Sequence, residues 1–97
     1  MAQNHEYRLH RGRILKILYK AFPDGVNDDL VRLTLAQMGL HVTSGVLRGH
    51  CDYLKGKGYV EIEDVHDKVD YLIKLTPKGI DLLESNIGPD PGIEIGG

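Results

Sequence analysis

Residues 35–63, LAQMGLHVTSGVLRGHCDYLKGKGYVEIE, decide the fold of this chain. The stretch opens with the end of one helix, which is predicted to stop at Gly39, and the five-residue turn GLHVT follows. Thr43 or Ser44 can then cap a further helix that runs to about Lys55. The apolar residues of that helix recur at the i, i+4, i+7 spacing of one buried face: Leu47, Cys51 and Leu54.

The KGKG sequence at residues 55–58 is either a helix end or a phosphate-binding loop. Dinucleotide and P-loop motifs follow a strand and open a helix, whereas here a helix comes first and a strand follows. Glycine in the left-handed conformation commonly ends a helix, and cations are favoured at the negative helix terminus. We therefore predict that Gly56 or Gly58 ends the helix, with Lys55 and Lys57 at its terminus.

The flanking sequence predicts a mostly helical α+β fold. A first helix is expected over Glu6–Phe22, a second after the N-cap Asn27, and a fourth after Thr76, with Pro77 in its first turn. Between the third and fourth helices, two alternating stretches predict an antiparallel hairpin. The residues of the first two helices expected to face the core share helical spacing: Ile14, Ile17, Leu18, Ala21, Phe22, Val31, Leu35 and Met38.

With 97 residues, the chain has room for one small domain. We assign residues 1–84 to that domain and residues 85–97, which contain several Gly and Pro, to an irregular tail. The sequence contains neither an apolar run of membrane-spanning length nor a secretory signal, so a cytoplasmic protein without membrane contact is expected. Cys51 is the only cysteine, and we expect it to be a small buried hydrophobe.

Charge is distributed unevenly along the chain, although the net charge is only -2. Residues 1–57 contain nine Lys or Arg and five Asp or Glu, whereas residues 58–97 contain three and nine. Such asymmetry is typical of a protein with one face that attracts nucleic acid. The cations of the first helix are expected to form a solvated face: Arg8, Arg11, Arg13, Lys16 and Lys20.

The order helix, helix, turn, helix, hairpin, helix is the winged helix-turn-helix arrangement. Residues 35–63 and YLIKLTPKGIDLL, residues 71–83, resemble the helix-turn-helix, wing strands and following helix of small bacterial winged-helix regulators. The ending LTPKGIDLLESNIGPDPGI, residues 75–93, and the short length resemble a family of small proteins of Mu-like transposable prophages. The resemblance implies a regulator that binds double-stranded DNA with its third helix in the major groove.

If that binding mode applies, Arg48 is the main expected contact, since its guanidinium can bind a guanine edge or a phosphate. Thr43 and Ser44 can donate to phosphate oxygens, although N-capping is the commoner use of such residues. Gly45 exposes backbone for close approach. The other expected contacts are lysines: Lys55, Lys57 and Lys68. A homodimer is expected, because two half-sites raise affinity and specificity.

The hairpin, which would be the wing, carries mostly acids, which a phosphate backbone repels. A second hypothesis is therefore a non-catalytic module that binds a basic protein partner through the acidic wing or the tail. An enzyme is not expected, since no H-x-x-x-H or H-E-x-x-H motif, Cys/His set with metal spacing or G-x-S-x-G elbow is present. For the same reason we expect no metal or cofactor, and histidines without a chemical role. The acids of the wing are Glu61, Glu63, Asp64, Asp67 and Asp70.

Overall fold

The structure, a computed structural model, describes residues 2–64 and 71–96, and of residues 2–4 only the backbone. Its elements follow the predicted order, with one additional short strand. The helices are α1 (Ala2–Ala21), α2 (Asp28–Gln37), α3 (Ser44–Gly56) and α4 (Pro77–Leu83). The strands are β1 (Val26–Asn27), β2 (Val60–Asp64) and β3 (Tyr71–Leu75).

The sheet has three antiparallel strands in the order β1-β3-β2. The two strands of the hairpin were predicted, and Ile62 lies opposite Ile73 in their register. The sequence did not predict β1, in which Val26 pairs with Ile73 and Asn27 with Leu72. Two residues cannot display an alternating pattern, so only the pairing with β3 identifies β1 as a strand.

The predicted N-caps begin α2, α3 and α4, and the predicted glycine ends α3. Side-chain oxygens of Asn27, Thr43 and Thr76 accept from the backbone N–H of the second or third helical residue, which satisfies free donors of the first turn. Gly58 ends α3 with φ +86°, the Gly58 N–H donates to the Lys55 carbonyl, and the following residue donates to the Leu54 carbonyl. This is a Schellman motif, so the predicted helix end at KGKG is confirmed.

The core lies between the three long helices and one face of the sheet. Ile14, Leu18, Val31, Leu35, Leu47 and Leu54, all expected there, are at most 1% exposed. The prediction of a core position is wrong for two residues, since Phe22 is 42% exposed and Met38 is 45% exposed. Both follow the last residue of their helix, α1 ending at Ala21 and α2 at Gln37, so the helical spacing no longer directs their side chains.

The tail packs on its own chain rather than extending into solvent. Ile93 is 6% exposed and belongs to the core, and the Glu94 N–H donates to the Arg8 carbonyl over 3.0 Å. Gly12 permits this approach, since a Cβ there would lie 1.8 Å from the Glu94 carbonyl oxygen. Among residues 85–96 the structure contains no helix or strand, so backbone and side-chain contacts hold the tail.

Candidate nucleic-acid interface

The N-terminal half of α3 presents a face to solvent. Thr43, Ser44, Gly45 and Arg48 are all exposed, and they lie within two turns of the helix start. The predicted contacts on this helix are therefore brought together on one surface. On the opposite side, Leu47 is buried, so the helix is fixed to the core while this face remains accessible.

Thr43 has a structural use in the free protein. Its Oγ1 accepts from the Val46 N–H over 3.1 Å, which is the N-capping role that the sequence offered as the alternative to phosphate contact. A Cβ added to Gly45 would meet only Thr43 Oγ1 at 4.0 Å, and one added to Gly49 would meet nothing within 4 Å. Packing within the chain therefore does not require glycine at these two positions.

Arg48 lies against acidic groups in the free protein. Its Nε is 3.3 Å from Asp52 Oδ1, one turn later in α3, and its Nη1 is 3.8 Å from Asp64 Oδ1 at the end of β2. The guanidinium carbon is 4.5 Å from the centroid of the Tyr71 ring. The side chain is 44% exposed, and exposed pairs contribute only about 0–1 kcal/mol, so a phosphate can replace these carboxylates at small cost.

The wing is acidic in its described part. Glu61, Glu63 and Asp64 are all exposed on β2, and Glu61 lies opposite Lys74 in the register with β3. The predicted contact Lys68 lies outside the described residues, as do His66, Asp67 and Asp70. Of these exposed wing acids, Asp64 is the one that reaches Arg48 of α3.

The two predicted lysines at the end of α3 have different surroundings. Lys55 is exposed and has no hydrogen bond or ion pair among the described residues. Lys57 Nζ lies 3.0 Å from Asp90 Oδ2, and this hydrogen bond raises the pKa of Lys57. The Asp90 carboxylate also accepts from the Tyr59 hydroxyl over 2.7 Å. A contact with the tail therefore already occupies Lys57, which the sequence assigned to DNA.

The basic side of α1 is only in part the solvated face that was expected, since Lys20 is exposed. Arg8, Arg11 and Arg13 are all partly buried. Arg11 donates from Nη1 to the Gly92 carbonyl over 3.1 Å, and its guanidinium carbon lies 3.8 Å from the centroid of the Tyr53 ring of α3. Arg11 thus links α1, α3 and the tail, because a guanidinium can stack and donate at the same time.

Sequence reasoning missed a buried histidine pair between α1 and α3. His10 Nδ1 lies 3.2 Å from His50 Nε2, and the two residues are 4% and 3% exposed. Burial lowers the pKa of both, in His50 to about 4, and nearby Arg11 acts in the same direction. The Tyr7 ring packs edge-on against His50, with centroids 5.1 Å apart. The sequence did contain a signal for the burial of His50, since position 50 follows the core residue Leu47 by one helical turn.

The remaining chemistry-bearing residue, Cys51, is buried as expected, and burial raises the pKa of its thiol to about 12. A thiol of this kind is inert as a nucleophile at neutral pH. Within residues 2–64 and 71–96, no three His, Cys, Asp or Glu side chains come together as a metal would need. In the same part of the chain, no helix is long and apolar enough to cross a membrane.

No family model and no curated protein matches this sequence. Solved structures of RosR from H. salinarum are similar to it, and RosR is a winged-helix transcription regulator. The complex structure of hsRosR-S1 is 25% identical with a TM-score of 0.64, over 78% of this chain and 65% of that chain. The complex structure of hsRosR-S4 is 25% identical with a TM-score of 0.65, over 78% of this chain and 64% of that chain.

RosR grown from NaBr is 24% identical with a TM-score of 0.66, over 79% of this chain and 67% of that chain. The present chain thus spans about two thirds of the length of the RosR chains that it matches. Together with the element order and the three-stranded antiparallel sheet, this similarity shows that the protein has the winged-helix fold.

Proposed function

We propose that this protein is a winged-helix DNA-binding protein that regulates transcription and has no enzymatic activity. The exposed N-terminal half of α3, with Thr43, Ser44, Gly45 and Arg48, is the observation that carries the proposal. In helix-turn-helix proteins the second helix of the motif reads the major groove with residues of this part. The similarity to RosR, a DNA-binding transcription regulator, supports the same function.

The proposal includes an arrangement on DNA. Residue Arg48 binds a guanine edge or a phosphate after release from its two carboxylates, and Lys55 adds a phosphate contact. The protein acts in the cytoplasm as a homodimer on two half-sites, since one short helix supplies few base contacts. An origin in a phage or prophage is also proposed, and it rests on the resemblance of residues 75–93 to proteins of Mu-like prophages.

The first test is fluorescence anisotropy of the protein on a labelled random-sequence duplex pool at several salt concentrations, with Arg48→Ala alongside. Because Arg48 is the central cation of the exposed face, Arg48→Ala should weaken binding about tenfold or more, which corresponds to about 1–3 kcal/mol. Arg32→Ala is the matched control, since that arginine also pairs with an aspartate in its own helix. Absence of binding at low salt, or equal losses in both variants, would contradict the proposal.

Neutralising the wing acid beside Arg48 gives a second test. Asp64→Asn removes the carboxylate 3.8 Å from Arg48 Nη1 and reduces repulsion of phosphates, so we expect DNA affinity to rise about two- to fivefold. Asp24→Asn, an exposed acid in the turn after α1, changes the net charge equally and is the control. Equal effects of the two substitutions would mean that net charge alone, and not the position of Asp64, governs binding.

A second function is favoured by one observation: the strand β2 of the wing carries three exposed acids, Glu61 and Glu63 on one face and Asp64 on the other. They would suit a non-catalytic module that binds a basic protein surface by charge complementarity. Its signature would be binding of a basic partner that survives Arg48→Ala and is lost when the three acids are neutralised. The DNA-binding function predicts the reverse pattern, with loss of DNA binding in Arg48→Ala and none after neutralisation.

A further inference from the structure

An apolar groove runs between α1 and α2, on a part of the molecule that the proposed function does not use. It has a volume of about 580 Å³, which lies within the range of roughly 300–1,000 Å³ of small-molecule sites. Ile17 and Val26 form its buried floor, and Leu30 and Met38 form its walls, although these two side chains are 55% and 45% exposed. We call this feature the α1–α2 groove.

The polar groups of the α1–α2 groove are almost all cationic. Arg13, Lys16 and Lys20 of α1 line it, and no acid is among the lining residues. Among the described residues, Arg13 Nη1 has no hydrogen-bond partner, and neither Arg13 nor Lys20 has an ion pair. The Thr34 hydroxyl already donates to the Leu30 carbonyl over 2.7 Å, so it is not available to donate to a ligand.

The groove therefore combines a hydrocarbon surface with a row of positive charge. The three cations are spaced at i, i+3 and i+7, so they follow one side of α1 along the groove. A ligand that matches both features has an apolar body and an anionic head, because an apolar ligand alone would leave Arg13 and Lys20 unmatched. We propose that the α1–α2 groove binds an amphipathic anion, namely a single long hydrocarbon chain that ends in a carboxylate.

This occupant fits the groove better than another helix. The groove lies between two helices that already pack on each other, and its volume of about 580 Å³ is that of a small-molecule site. Burial of the chain against the leucine and methionine walls supplies the driving force, and the cations fix the direction of the head group. The proposal goes beyond DNA binding, and its test contains no DNA, so either can fail without the other.

Backbone amide NMR shifts of the ¹⁵N-labelled full chain, titrated with palmitate below its micellar concentration, test the proposal. Shifts should be confined to the second half of α1, to β1 and to α2. Hexadecanol, which has the same chain length without the charge, should bind about tenfold more weakly, and so should octanoate, which has a shorter chain. Equal affinity for palmitate and hexadecanol, shifts elsewhere, or no binding would overturn the proposal.

The chain offers a matched pair of leucines for the same experiment. Leu30 lines the groove, whereas Leu33, 62% exposed on the same helix, does not. Leu30→Glu places a carboxylate at the groove and should weaken palmitate binding about tenfold or more, while Leu33→Glu should leave it within about twofold. Because both side chains are exposed, both variants should fold, which circular dichroism checks.

Charge and self-association are tested separately. Arg13→Gln and Lys20→Gln should each weaken palmitate binding about three- to tenfold and leave hexadecanol binding unchanged, whereas Lys74→Gln, on β3, should change neither.

Analytical ultracentrifugation tests whether a second copy of the chain occupies the groove instead. A dimer that Leu30→Glu dissociates, together with no palmitate binding, would mean that a second copy covers the groove and would overturn the proposal.

Discussion

The two ends of α3 differ in what holds their side chains. At the N-terminal end, Thr43 caps α3 itself, Arg48 lies against Asp52 of α3 and Asp64 of the wing, and both Thr43 and Arg48 are exposed. At the C-terminal end, Arg11 stacks on Tyr53, and Lys57 pairs with Asp90 of the tail. Arg48 is thus paired with exposed carboxylates that a ligand can displace, whereas Arg11 and Lys57 are engaged with the tail.

The contacts of each cation within the chain indicate whether it can bind a phosphate. Sequence alone ranked Lys55 and Lys57 equally, since both lie in the same four-residue stretch. The structure separates them, because the buried side chain of Asp90, only 6% exposed, holds Lys57 through a charge-assisted hydrogen bond. Burial opposes ionisation of Asp90, but hydrogen bonds from the Gly92 N–H, Tyr59 and Lys57 outweigh it and lower the pKa of the carboxyl. The pair therefore stays charged at neutral pH.

The largest effect is expected from Gly12→Ala, which should separate the tail from α1. The added Cβ would lie 1.8 Å from the Glu94 carbonyl oxygen, and backbone cannot move aside as a flexible side chain can. We expect a loss of about 3 kcal/mol in the free energy of unfolding, the upper end of the usual overpacking range. Urea denaturation followed by circular dichroism measures it.

Gly49→Ala is the control at the exposed face of α3. A Cβ there meets nothing within 4 Å, and alanine is favoured over glycine inside a helix, so the free energy of unfolding should rise by about 1 kcal/mol. Opposite signs for the two substitutions would confirm that one helix is closely packed by the tail and the other has an open face. A loss in both variants would contradict it.

An effect of intermediate size is expected from pH on the free energy of unfolding. The responsible group is the buried pair of His10 in α1 and His50 in α3. Burial lowers the pKa of His50 from 6.5 to about 4, so the unfolded chain binds more protons than the folded one below pH 6.5. Stability is therefore fully present above pH 6.5 and falls as the pH decreases toward 4. Between about pH 8 and pH 5, His50 should cost on the order of 2 kcal/mol in the free energy of unfolding.

The substitution His50→Gln removes this titrating group and should abolish most of that pH dependence. The control is His41→Gln, because His41 is exposed in the turn before α3, and this variant should follow the wild type. Urea denaturation at several pH values provides the measurement. The groups that face the pair are Tyr7, Glu6 and Arg11, and none is altered in either variant. Parallel curves for wild type and His50→Gln would refute the assignment.

The smallest effect is expected when Lys55 and Lys57 are substituted one at a time. In the anisotropy assay, Lys55→Gln should make the salt dependence of DNA binding shallower by about one unit of slope, since it removes one phosphate contact. Lys57→Gln should leave the slope unchanged, because Asp90 already neutralises that cation. A larger effect of Lys57→Gln would mean that the pair with the tail opens when DNA binds.

Local signals in the sequence predicted much of this fold. The caps Asn27, Thr43 and Thr76, and the glycine after α3, act through hydrogen bonds within a few residues, so their role can be read from the sequence. The exposed set on α3 follows in the same way from helical spacing. The assignment of these residues to DNA, and the domain boundary after residue 84, stay predictions.

What the sequence determined by itself was the order of the helices and wing strands, because helix and strand periodicity and caps depend on neighbours along the chain. Tertiary contacts establish the pairing of β1 with β3, the contact of His10 with His50, and the packing of the tail on α1. Each of these joins residues distant in sequence, and a short or irregular segment carries no periodic signal of its partner. Within residues 2–64 and 71–96, tertiary contacts likewise engage Lys57 and not Lys55, a difference that the local sequence does not contain.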